Sequence, residues 1–318
     1  MKIACLGEIL IDFTASEKGK PIKDVKSFIK NPGGSPPNTA TAIARLGGEV
    51  SFFAKISNDS FGQFLFQTVK ENNINTKAIV RTDAPTCLVF VAIKEDGSPD
   101  FEFYRDNTAD ILLEENDIDE DFLKSHDIFH FGSITLLKDP ARKTAITTFK
   151  KAKKWGIFTT IDPNIRANLI ENRAQFIKDL DEIFKDIDLL KISEEDLAYL
   201  YPEKNIHTDC QILLDKGVKS IIVTLGEKGS MFCNREFRIE VPGYKVNVID
   251  TTGAGDGFMG AVLYYLSQHG FDVLKDQNKV VELLKFANAQ AALVCTKKGG
   301  IPSMPLLTEV ENFIKSMR

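Results

Sequence analysis

The sequence predicts an α/β protein built on a mainly parallel sheet with helices on both faces, carrying a small β-structured flap. Three observations predict it. Short β-rich runs alternate with helix-period segments through most of the 318 residues. Glycine-rich turns stand where helices begin. Two stretches, 13–32 and 86–106, abandon that alternation for turn-rich or strand–turn–strand patterns.

In chain order, "KIACLGEILI" reads as a buried strand and "PNTATAIARLGG" as a helix stopped by glycine. "VSFFAKIS" is the next strand and "FGQFLFQTVKEN" the next helix. Further on, "DIFHFGS", "FTTIDPN", "DLLKIS" and "SIIVTLG" are short β-rich runs separated by helical pattern, including a lysine-rich helix from about Pro140 to Trp155. "VNVID" is strand-like and "GFMGAVLYYL" helical, with Phe258, Val262, Tyr265 and Leu266 at helical spacing. The excursion at 13–32 is polar and without helical period. The one at 86–106 reads as two strands joined by "EDGS". Together they form either a functional flap or surface hairpins without function. No repeat or low-complexity linker divides the chain.

A net charge of −5 speaks against nucleic acid or an anionic membrane as the main partner. It leaves room for a small phosphorylated ligand. Five scattered cysteines without a CxxC pair read as reduced thiols rather than a disulfide framework or zinc site. The start "MKIACLGEILIDF" reads as a first strand and not a signal peptide, and no apolar run reaches the ~20 residues of a membrane span. A cytoplasmic location is expected.

"DTTGAGDGF" at 250–258 sets Gly253, Ala254 and Gly255 at a strand-to-helix junction, where unpaired N–H groups and the helix dipole favour an anion. Asp256 beside such a nest has two readings, a helix cap or a proton acceptor that brings a hydroxyl up to a phosphoryl group. The dipole is expected to favour its ionised form. A P-loop is excluded because no GxxxxGK[ST] occurs. A dinucleotide fingerprint fails because Phe258 stands where its third glycine belongs. In "NPGGSPPNTATAIARLGG", Gly33 and Gly34 permit close backbone approach and Asn38 offers an amide to a polyol; a plain turn with an N-cap is the competing reading.

As a pair, GGxPxN-helix-RLGG near the start and DTTGAGD near the end resemble the two signature regions of the PfkB (ribokinase-like) family of carbohydrate kinases. The resemblance extends through nearly the whole chain. Segments such as "FYRDNTADILL", "FHFGSITLL", "DPNIR", "KISEEDLAYL", "VTLGEKGS" and "FANAQAALVCTKKGGIPSMP" look most like its fructokinases.

The resemblance implies a three-layer α/β/α sandwich over 1–12, 33–85 and 107–318. It makes 13–32 and 86–106 a β-lid, through which a homodimer would form. It also implies ATP-dependent phosphorylation of a sugar, D-fructose first and 2-keto-3-deoxygluconate as alternative. Asp256 resembles the family's catalytic base, and the backbone of Gly253, Ala254 and Gly255 its anion hole. Asp12, Gly33, Gly34 and Asn38 match sugar-binding positions, with Phe101, Phe103, Arg105 and Arg166 as further contacts. Thr224, Gly226 and Gly229 match a turn near the ATP phosphates and ribose, Asn288 a position beside adenine, and Asn164, Lys191 and Ser193 positions near the phosphates.

The family's N-x-x-E motif is replaced by "SEED", so that Ser193 and Asp196 stand in its magnesium-linked positions and the shorter Asp196 would reach Mg²⁺ through water. Asp250, Thr252, Val294, Lys297, Gly299 and Ser303 correspond to the site where many relatives bind a monovalent cation such as K⁺. A non-catalytic sugar-binding protein remains the reading from a different class, weakened by the intact GAGD.

Overall fold

The computed structural model describes residues 1–96, 98–202 and 205–317. Gly97, in the expected "EDGS" turn, lies outside them. The first half of the chain contains β1 (Lys2–Leu6), β2 (Leu10–Ala15), β3 (Phe28–Gly33), α1 (Ser35–Arg45), β4 (Glu49–Ser57), α2 (Ser60–Glu71), β5 (Ile79–Thr82), β6 (Leu88–Ile93), β7 (Pro99–Tyr104), α3 (Glu120–Lys124), β8 (Ile128–Gly132), α4 (Ala141–Lys154) and β9 (Phe158–Asp162). The second contains α5 (Arg173–Phe184), β10 (Leu189–Ser193), α6 (Glu194–Leu200), α7 (Ile206–Lys216), β11 (Ser220–Thr224), β12 (Ser230–Cys233), β13 (Arg238–Val241), α8 (Ala254–His269), α9 (Gln277–Val294) and α10 (Leu307–Ser316).

Nine strands form the main sheet in the order β13-β12-β11-β10-β9-β8-β1-β4-β5. The pairs from β11 through β5 are parallel, and β12 and β13 complete one edge antiparallel. Side chains alternate across it. On β1, Ile3 and Cys5 join the core under α1, α2, α8 and α9, whereas Ala4 and Leu6 join the core under α4, α5 and α7. Both faces of the central strands are thus buried, as near-continuous apolar runs such as "IACL" require. Because the strands are parallel, the C-terminal ends of β8 to β11 line one rim. A doubly wound sheet opens its ligand crevice there.

"KIACLGEILI" is two strands and not one. The chain leaves the main sheet at Gly7, and Glu8 turns inward, accepting from the Thr135 side chain and its backbone N–H. β2 then enters a second sheet of four strands, ordered β3-β2-β6-β7, in which β2 and β6 run parallel and the other pairs antiparallel. Phe90 ties this sheet together, stacking on Phe13 at 5.0 Å and meeting Phe28 edge-on at 5.1 Å. Leu10, Cys87, Val89 and Ile134 seat it on the core.

"VNVID" forms no strand. Val248 and Ile249 are exposed, and the segment is held by the Ile249 and Asp250 N–H groups donating to the Cys295 carbonyl. It passes the finished edge of the sheet and follows the end of α9 instead, so β-propensity found no ladder to join. The helix after it begins at Ala254, inside the glycine motif. Among the described residues no helix is long and apolar enough to cross a membrane.

Candidate active site

The site forms where the first turns of α1 and α8 meet at the rim of the main sheet. The two helices pack closely because Gly260 has no side chain: a Cβ there would lie 2.4 Å from the Ala42 Cβ. Gly253 caps α8 with a left-handed backbone (φ 80°), and a Cβ on it would stand 2.9 Å from the Gly300 Cα. The N–H of Ala254 returns to the Thr251 carbonyl, whereas those of Gly255 and Asp256 reach no protein acceptor among the described residues. They are free donors at the positive end of a sixteen-residue helix.

Asp256, 7% exposed, lies beside them. Its Oδ1 accepts from the Ser35 hydroxyl at 2.6 Å and its Oδ2 from the Asn38 amide at 2.8 Å. Burial raises its proton affinity above the ordinary carboxylate range. The Ser35 and Asn38 bonds oppose that rise, Asp162 adds to it and Lys191 counters it. The sequence suggested that the helix start would favour the ionised form; burial moves this group in the other direction. The Asn38 Oδ1 atom is buried and accepts from no group among the described residues.

Asp12, on β2, sits against Gly33 of β3, where a Cβ would fall 2.0 Å from the Asp12 Oδ2. Burial pushes its pKa up to about 7, with Arg166 pulling it down and Asp256 pushing it further up. Gly34 (φ 108°) turns the chain from β3 into α1. Phe103 packs against the Leu10–Ile134 cluster, and Phe101 is 40% exposed at 6.2 Å from it. Arg105 is buried, with its guanidinium donating to Asp110 at 2.7 Å and to the Ile134 carbonyl at 2.9 Å. Arg166 folds onto Asn164, its guanidinium donating to the amide oxygen at 2.6 Å.

Across the site, Lys191 donates to Asp162 at 2.7 Å and stands 3.0 Å from where a Cβ on Gly255 would be. Burial works most strongly against its charge, but Asp162, Asp256 and Asp196 together outweigh burial, so its pKa rises. Asp196 accepts from the Ile165 N–H at 3.1 Å, and Ser193 caps α6 by accepting from the Asp196 N–H at 3.0 Å. Burial and Asp162 push the Asp196 pKa up to about 6.

Thr224 ends β11, and Gly226 (φ 57°) opens the following turn with nothing within 4 Å of its would-be Cβ. Gly229 is packed against the Val241 carbonyl, 2.2 Å from such an atom. Asn288, on α9, donates to the carbonyls of Val241 and Pro242 at 3.2 and 3.3 Å, so its amide nitrogen braces the same turn from behind.

Asp250 joins the remaining two loops. Its carboxylate accepts from the N–H and hydroxyl of Thr252 and from the Gly299 N–H, bonds that hold its pKa low against the opposing effect of burial. Ser303 donates to the Gly300 carbonyl, the Lys297 N–H returns to Val294, and the Lys297 ammonium pairs with Glu309 at 2.9 Å.

Ser35 and Asp162 escaped the sequence reading. Asp162 was legible as the acidic residue ending "FTTID" beside "PNIR". Ser35 carried no signal, because no spacing rule joins it to a carboxylate 221 residues away.

The family model for "pfkB family carbohydrate kinase" matches residues 1–307. A probable fructokinase of Arabidopsis thaliana is 38% identical over 316 residues, covering 99% of this chain and 97% of its own. A fructokinase of Xylella fastidiosa, solved with bound ATP, superposes with a TM-score of 0.91 at 32% identity, covering 99% of this chain and 98% of its own. A double mutant of the Vibrio cholerae fructokinase, solved with fructose, ADP and a potassium ion, gives a TM-score of 0.87 at 28% identity, with 98% of each chain covered. On sequence, fold and full-length coverage together, the chain belongs to the pfkB family of carbohydrate kinases.

Proposed function

We propose that the protein transfers the terminal phosphoryl group of ATP to D-fructose, giving fructose 6-phosphate and ADP. The observation that carries this is a buried carboxylate, Asp256, gripped on both oxygens at a helix start whose next N–H donors are free. An aspartate beside an anion nest is costly for a protein that only binds sugar. It serves a reaction in which a hydroxyl must lose its proton as it meets a phosphoryl group.

In this reading Asp12, the Gly33 and Gly34 backbone and Asn38 hold the sugar. The unpaired Asn38 Oδ1 suits a hydroxyl donor, and the raised proton affinity of Asp12 suits a carboxylate that gains hydroxyl partners on binding. Phe101 and Phe103, on β7, and Arg166, whose charge reaches Asp12, would add further contacts. Arg105 would act through its bond to Asp110, holding the end of β7. With Arg105 and Arg166 both engaged inside the protein, a neutral sugar fits better than an anionic one such as 2-keto-3-deoxygluconate.

Asp256 takes the proton from the sugar hydroxyl, and the freed oxygen forms its bond to the γ-phosphorus. The bond from that phosphorus to the β-phosphate bridging oxygen breaks, and its electrons leave with ADP. The N–H groups of Gly255 and Asp256, with Lys191 beside Gly255, absorb charge on the moving group.

Thr224, Gly226, Gly229 and Asn288 would form the nucleotide turn, and Asn164 and Ser193 would flank its phosphates. Asp196 would hold Mg²⁺ through water, and the ion would supply charge neutralisation between the β- and γ-phosphates. No cluster of three His, Cys, Asp or Glu occurs among the described residues, which suits an ion carried mainly by phosphate oxygens and water. Potassium would lie among backbone oxygens of the loops that Asp250 staples, which carry Thr252, Val294, Lys297, Gly299 and Ser303. The small sheet leaves Ile29, Ile93, Phe101 and Tyr104 exposed, apolar surface suited to a second copy of the chain in a homodimer.

The test is ADP release from MgATP with fructose, ribose, 2-keto-3-deoxygluconate or adenosine as acceptor. Fructose-dependent release supports the reading. Release with another acceptor alone overturns the substrate, and sugar binding without ADP release overturns the kinase.

A further inference from the structure

Asp256 is held by two side chains from one short turn, and they are chemically unequal. Asn38 approaches Oδ2 through an amide nitrogen, which can only donate. Ser35 approaches Oδ1 through a hydroxyl, which can donate to a carboxylate and, after rotation, accept from a carboxylic acid. Ser35 is 8% exposed, so water does not readily substitute for it. Its position is rigid: Pro36 and Pro37 occupy the first turn of α1, and the Asn38 N–H closes on the Gly34 carbonyl at 3.2 Å.

We propose that Ser35 is a positioning residue that grips Oδ1 of Asp256 and, with Asn38 on Oδ2, presents the carboxylate to the acceptor hydroxyl in its ionised form. This rests on the proposed phosphoryl transfer. Before transfer Ser35 donates to the carboxylate. As the sugar O–H bond breaks and its proton passes to Asp256, the Ser35 hydroxyl turns and accepts from the acid in a neutral bond weaker than the charged one it replaces, so its net effect favours the ionised form.

The charged groups facing Asp256 from other elements are Asp12 on β2, Asp162 at the end of β9 and Lys191 on β10. Lys191 is already paired to Asp162, so this environment does little to keep Asp256 ionised, and the two neutral donors supply what it lacks. Burial favours the neutral acid, and the Ser35 bond is the first force opposing it.

The test is the pH profile of kcat and KM for Ser35→Ala beside wild type and Ser35→Thr. Ser35→Ala should lose kcat by on the order of tenfold at about pH 6, the effect of removing one hydrogen bond to a charged group, with the loss shrinking toward about pH 9 and fructose KM little changed. Ser35→Thr, which keeps the hydroxyl, should restore the acid limb. A Ser35→Ala loss equal at every pH, or a profile superimposed on wild type, overturns the proposal while leaving the kinase reading intact.

If wild type does not phosphorylate fructose, that reading fails by itself. The proposal is then decided without turnover by a carbon-13 titration of the Asp256 carboxyl, assigned with Asp256→Asn. A midpoint raised in Ser35→Ala supports it, and an unmoved midpoint overturns it.

Discussion

The first turns of α1 and α8 share a glycine before a helix, yet they are opposites in use. In α1 the prolines at 36 and 37 remove two of the N–H groups that a helix start normally leaves free, and the turn works through side chains, Ser35 and Asn38. In α8 no proline intervenes, Gly255 has no side chain, and the turn leaves backbone donors free beside the carboxylate. One turn is finished internally and holds a carboxylate; the other is left unsatisfied and suits an anion. A helix N-terminus is thus a phosphate site only where the chain has refrained from filling it.

The sharpest way to break this contrast is Asp256→Asn, which keeps the shape and removes the proton acceptor. A kcat loss of about 10³–10⁴-fold is expected by steady-state ADP release, with the fold retained by circular dichroism. Gly253→Ala should come next. The left-handed backbone and the contact with Gly300 should cost about 1–3 kcal/mol in denaturant unfolding, together with much of the turnover. Gly226→Ala is its control: φ is also positive, but no atom crowds the new methyl, so the cost should stay near 1 kcal/mol.

A smaller and pH-dependent effect is expected at Asp12. Its folded pKa, about 7, lies above its ordinary value of 3.8, so the folded state binds the proton more tightly than the unfolded chain. That contribution to stability is present below about pH 4 and is lost as pH rises through 7. Asp12→Asn should therefore raise Tm at pH 8 relative to wild type and leave it nearly unchanged at pH 4, while weakening fructose binding. The smallest expected effect is Phe101→Ala. The ring is partly solvent-exposed, and fructose KM should change by no more than about threefold, a contact worth well under 1 kcal/mol.

Much of this was legible in the chain. Alternating β and α patterns, the glycine stop after "ARL" and the proline-bounded lysine-rich helix each correspond to elements within a residue or two, because burial on both faces of a parallel sheet leaves local signals strong. "VNVID" misled because β-propensity describes a segment and not whether a partner edge exists. "KIACLGEILI" misled because one apolar run can cross from one sheet to another when the turn between them is buried.

The site divides the same way. Asp256, Asn38, Gly253 and Asp12 stand in motifs that announce unusual backbone or chemistry. Ser35 and Asp162 become meaningful only beside partners from other elements. By itself the sequence determined the fold class, the membership of the family and the presence of an aspartate at a glycine-bounded helix start, since these depend on spacing along one chain. The tertiary structure alone decided which oxygen each donor grips, which N–H groups remain free and how strongly Asp256 and Asp12 hold a proton. Those properties depend on desolvation and on distances between residues far apart in sequence, and both arise only once the helices and sheets have packed.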